Sequence, residues 1–113
     1  MIEKTVLDFL SERLPVPVWM DIPPNPPQRF VLLEKTGGHE EDGLSYATLA
    51  VQSYGPALWD ALQLNKMIKN AMQDLDELPS ICRVELNNDY HFSDPAMRQR
   101  RYQAVFDIIY YDN

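Results

Sequence analysis

The residue types best suited to chemistry gather at His39-Glu40-Glu41-Asp42, where an imidazole stands beside three carboxylates. Such a set suggests a metal site or an acid/base pair. The spacing argues against both, because four consecutive loop residues do not all turn toward one ion and no second histidine lies nearby in sequence. A solvated, charged loop tip is the reading that remains. The flanking Gly37, Gly38 and Gly43 imitate a phosphate-cradling loop, but they lack its lysine and lie between two strands, away from any helix N-terminus. Neighbouring carboxylates would repel phosphate as well. Cys82 reads as a small core hydrophobe on a strand, with no His, Lys or Arg tied to it except Arg83, which the alternation sends to the other face. His91, between Tyr90 and Phe92, reads as a packing or loop hydrogen-bonding residue. The serines form no G-x-S-x-G elbow. No catalytic, cofactor-binding or metal-ligating set emerges, and the chain is expected not to be an enzyme.

The charged residues point instead to contacts between proteins. Arg98, Arg100 and Arg101 form a basic cluster directly before the last strand, and with Tyr102 they are candidate subunit-interface residues. Their complements on a neighbouring copy would be Glu40, Glu41 and Asp42, or Asp74, Asp76 and Glu77. Trp19, Trp59 and the tyrosines exceed what a small helix-covered sheet must bury, which also suits an interface. The 113 residues carry 17 Asp+Glu against 10 Lys+Arg, a net charge of -7. Without a basic stretch there is no cation cluster to drive binding to a phosphate backbone. Surplus carboxylates are expected on solvent, or on a channel that DNA passes without sticking.

The length fits one domain, residues 1–113. A single cysteine excludes an intrachain disulfide and a multi-cysteine zinc site. Apolar runs are too short to span a bilayer, and charged residues near the N-terminus argue against a signal peptide.

The elements that must position these residues follow from periodicity. Ile2, Val6, Phe9, Leu10 and Leu14 recur at helical spacing, and Pro15 ends that helix. A short extended piece, 16–20, leads into the Pro23-Pro24-Asn25-Pro26-Pro27 connector, which reads as a stiff loop rather than a polyproline ligand. Arg29–Lys35 and Ser45–Tyr54 are strands, joined as a hairpin through a long polar loop from Thr36 to Leu44. Segments 21–28 and 36–44 are expected to be mobile. Gly55-Pro56 opens a long helix with Leu58, Ala61, Leu62, Ile68, Ala71, Met72, Leu75 and Leu78 on one stripe, interrupted by Asn65 and ending at Leu78 after about six turns. Ile81–Leu86 is a strand with Cys82, Val84 and Leu86 sharing one face, and Asn87-Asn88-Asp89 a turn. Arg101–Tyr111 closes the chain as a strand with Tyr102, Ala104, Phe106, Ile108 and Tyr110 on one side. The predicted fold class is α+β: a single, mostly antiparallel sheet of four to five strands, covered on one face by an N-terminal helix and a long central helix.

This order of segments resembles the small tail terminator (tail completion) proteins of long-tailed phages and prophages. The resemblance rests on the N-terminal helix, the proline-rich strand-loop and the strand ending in Glu34-Lys35-Thr36-Gly37-Gly38. It continues through Ala50-Val51-Gln52-Ser53-Tyr54 running into the long helix, and Arg101-Tyr102-Gln103 opening the last strand. It implies a structural virion protein without catalysis, assembled with itself as a ring, usually of six subunits, on the end of the tail tube. The implied partners are the major tail tube protein and a head-neck connector, and the implied location is the virion tail and neck, or the host cytoplasm during assembly. Another connector or head-closure protein of the neck is the nearest alternative. A small ligand-binding or catalytic α+β domain using His39, Cys82 or His91, and a peptide adaptor working through 23–27, are more distant ones.

Overall fold

The first helix, α1 (Ile2–Arg13), buries Ile2, Val6, Phe9 and Leu10, as their spacing dictates. The computed structural model describes residues 1–96 and 98–112. After α1 come β1 (Val18–Trp19), β2 (Phe30–Glu41), β3 (Leu44–Gly55), α2 (Leu58–Met72), a single 3-10 turn (Leu75–Glu77), β4 (Ile81–His91) and β5 (Arg100–Tyr110). The strands form one five-stranded sheet in the order β1-β2-β3-β5-β4. β1 runs parallel to β2 and the other pairings are antiparallel. The predicted α+β class and its helix-covered sheet are therefore observed.

One face carries the core. Val31 and Leu33 of β2, Ala47, Leu49 and Val51 of β3, and Ala104, Phe106, Ile108 and Tyr110 of β5 pack there against α1 and α2. A fully buried Leu, Ile or Phe contributes about 1.5–3 kcal/mol. The alternation read for β5 is thus the observed one.

Several boundaries differ from the sequence reading, each for a local reason. The loop expected at 36–44 is strand up to Glu41 on one side and from Leu44 on the other. Asp42 (φ 53) and Gly43 (φ 79) alone make the turn. An Asp-Gly pair with positive φ at both positions suits a two-residue hairpin turn, whose twist matches that of the strands. Thr36 is the extra residue of a bulge between Lys35 and Gly37, so Thr36-Gly37-Gly38 is a kinked strand and not a turn.

α2 stops at Met72, short of the expected Leu78, and the 3-10 turn takes over Leu75. It starts at Leu58, with Pro56 outside it and Ala57 as its cap. Its buried face is Ala61, Leu64, Asn65, Ile68, Ala71 and Met72, so Asn65 belongs to that face while Leu58 and Leu62 lie outside it.

β4 carries two bulges, at Cys82 and Asn87. The first shifts the alternation, placing Ile81 and Val84 on the core side and leaving Cys82 exposed, contrary to the expectation of a buried cysteine. The second lets the strand continue through the predicted turn at 87–89 to His91.

Candidate assembly surfaces

The residues considered for catalysis do not converge. His39 stacks on Tyr46, with ring centroids 4.5 Å apart and planes 1° from parallel, and its Nε2 lies 3.9 Å from a Glu41 carboxylate oxygen. Both sit on the face of the sheet opposite the helices. His91 lies at the far end, its Nε2 2.6 Å from Ser93 Oγ and its ring stacked against Tyr102. Cys82 is on edge strand β4, separated from β2 by β3 and β5. Among the described residues, no group of three or more His, Cys, Asp or Glu is arranged to hold a metal ion. No helix among them is long and apolar enough to cross a membrane.

The charged candidates separate along the strands. The β3–β5 ladder runs from Gly55 opposite Arg100 to Ser45 opposite Tyr110, about 33 Å at the usual rise per residue. Glu40, Glu41 and Asp42 are exposed at one end, where a shallow hollow is lined by these residues together with Tyr111 and Asp112. Burial pushes the pKa of the adjacent Tyr110 up, and the fields of Asp112, Glu3 and Glu40 push it the same way. Arg98, Arg100 and Arg101 lie at the opposite end. Arg98 and Arg100 are exposed.

Arg101 is engaged within the chain. Its Nε donates to the Phe92 carbonyl at 2.7 Å and its Nη1 to Tyr54 Oη at 3.1 Å, with the guanidinium over the Phe92 ring. Tyr102 is half-buried. In the third charged group, Asp74 and Glu77 accept from Arg13 at 3.2 and 3.3 Å, tying α1 to the 3-10 turn, while Asp76 is exposed. Trp59 is 67% exposed on α2.

Three arrangements escape a sequence reading. On the sheet face away from the helices, Trp19, Phe30, Tyr54, Arg101 and Phe92 form a row that crosses the strands. Phe30 and Tyr54 are fully buried, their rings 4.4 Å apart and nearly parallel. Beside them, Gln52 Nε2 donates to Gln103 Oε1 at 2.7 Å, Gln103 Nε2 to Tyr90 Oη at 2.6 Å, and Tyr54 Oη to Gln52 Oε1 at 3.1 Å. Under α2, Asn65 Nδ2 and Lys69 Nζ both donate to Asp89 Oδ2, at 3.0 and 2.8 Å. The Gln52, Gln103 and Tyr90 set meets through strand register, where polar types at paired positions were the available signal, whereas the aromatic row and the Asp89 contacts of α2 depend on how loops and helix pack on the sheet.

The N-terminus of α2 is held by Asp60. One of its oxygens accepts from the Ala57 N–H at 3.2 Å and the other from Arg29 Nη2 at 2.9 Å. The Arg29 hydrogen bond holds the Asp60 carboxyl below the usual range.

No protein-family model matches the chain, and no curated protein matches it. A solved structure does. A chain of the "Virion of native gene transfer agent (GTA) particle" superposes with a TM-score of 0.50 at 13% sequence identity, over 93% of this chain and 84% of that one. The likeness is one of fold, and it extends over nearly the whole of both chains.

Proposed function

We propose that the protein is a structural component of a phage-like virion, and specifically a tail terminator that forms a ring on the end of the tail tube, stops its polymerisation and offers a surface to the neck. The observation that carries the virion reading is the fold shared, over nearly its whole length, with a chain of a gene transfer agent virion. The segment order set out under the sequence supports the narrower role. The chain acts as one α+β unit, without catalysis, in contact with copies of itself, the tail tube protein and a neck connector. DNA passes the ring without specific binding, consistent with a net charge of -7.

Segregated charge supports self-assembly. An acidic tip at one end and exposed arginines at the other suit a head-to-tail contact, which closes into a ring when the rotation per copy allows. Arg98 and Arg100, rather than the internally bonded Arg101, are then the arginines available to a neighbour.

Tail tubes polymerised with and without the protein test the role. Tubes of limited length bearing a ring at one end support it, and tubes that grow unchanged with bare ends contradict it. A ring that binds the portal side of filled heads and ignores tubes would assign the chain to another neck position.

A further inference from the structure

α2 lies over β3 and β5 and is tied to β4 at Asp89, leaving the Val84 and Leu86 stretch of the same face uncovered. A trough of about 370 Å³ results, with Met72, Val84, Leu86 and Phe106 as its floor and Lys66, Lys69, Asn70 and Gln73 at its rim. Leu86 lies opposite Phe106 on the core side of the sheet, yet it is 45% exposed. Lys69 is spent on Asp89. Lys66 is exposed and takes part in no ion pair among the described residues.

We propose that this trough receives the acidic hairpin tip of a second copy of the chain. Leu44 of the incoming tip would lie on the apolar floor beside Leu86, with Glu41, its cross-strand partner on the same face of the hairpin, facing Lys66. Charge complementarity selects this occupant: 40–42 is the chain's one run of three consecutive carboxylates, it is exposed, and the two-residue turn at Asp42-Gly43 makes it narrow. A chain does not fill its own trough, because the tip belongs to β2 and β3 while the trough borders β4 at the opposite edge of the sheet. The contact joins different surfaces on the two copies and repeats from copy to copy. The inference rests on the self-assembly proposed above and seats the acidic tip at Lys66, leaving Arg98 and Arg100 to other contacts of the same assembly.

Charge reversal in the full chain tests the docking, with association followed by sedimentation over a wide concentration range and folding followed by circular dichroism. Lys66→Glu and Glu41→Lys are each expected to shift the association midpoint roughly tenfold upward, and the pair together to restore it, since the opposed charges are re-formed in reverse. Leu86→Ser is expected to weaken association in the same way without changing the charge. Single variants that associate like the wild type, a pair no better than either single, or a wild type that stays monomeric at every concentration would each overturn the docking. Tube capping, measured in parallel, separates the two readings. A wild type that caps tubes but associates independently of these charges defeats the trough alone, and a charge-sensitive association by a chain that ignores tubes defeats the terminator role alone.

Discussion

The two ends of the sheet are built differently. At the end where Gly55 faces Arg100, aromatic rings and a guanidinium are stacked across the strands, and the first turn of α2 lies close against the β3 terminus. At the other end the β2–β3 hairpin finishes in exposed carboxylates around Asp42-Gly43. One end spends its side chains on holding the fold, and the other leaves them in solvent. Substitutions should therefore divide: those in the stacked residues of the braced end cost stability, and those in the acidic tip cost contacts with other molecules while leaving stability nearly unchanged.

The largest effect is expected for Phe30→Ala. Its ring is fully buried between Trp19 and Tyr54, and truncation of such a ring costs about 3–5 kcal/mol, readable as a lower midpoint in urea unfolding. Gly55→Ala follows. A Cβ there would stand 2.6 Å from Asp60 Cβ and 2.9 Å from the Ala61 nitrogen, and relieving that clash with backbone costs about 1–3 kcal/mol. A variant as stable as the wild type would mean that the α2 entry is looser than described.

Arg101→Lys keeps the charge and loses the planar fork that serves Phe92 and Tyr54. A loss of roughly 1–2 kcal/mol is expected from the broken hydrogen bonds. At the acidic end, Glu40→Gln and Glu41→Gln should change stability by under ~0.5 kcal/mol. A large loss there would break the contrast between the two ends.

Acid sharpens the same comparison. The folded-state pKa of Asp60 lies below its ordinary value because of Arg29, so the folded form binds its proton less readily than the unfolded chain does. Its contribution is present above the ordinary carboxylate range and is lost as pH falls through the folded value. Thermal unfolding of the wild type should lose stability below about pH 4, and Asp60→Asn should flatten that part of the profile. An unchanged slope would mean that other carboxylates carry the acid response.

Much of the fold is legible in the sequence because its elements are strongly periodic. The α1 stripe and the alternation of Tyr102 to Tyr110 lead directly to the observed core. The errors lie where a single residue changes the count. Cys82 and Asn87 are bulges that composition does not announce, and each shifts which later side chains face the helices. The hairpin from Thr36 to Leu44 is polar and glycine-rich, so propensity favours a loop, while pairing with Leu44–Leu49 holds it as strand. Asn65 reads as an interruption of the α2 stripe, although it is fully buried on Asp89. The candidate surfaces were legible as charge clusters. The internal engagement of Arg101, Asp74 and Glu77 was not, because their partners lie far away in sequence.

Electron microscopy of tail tubes assembled in the presence of the protein tests the central claim most directly. A ring of the protein at one end of each tube, with tube growth halted there, is the predicted result. Tubes that bind none of it and keep elongating would contradict the account.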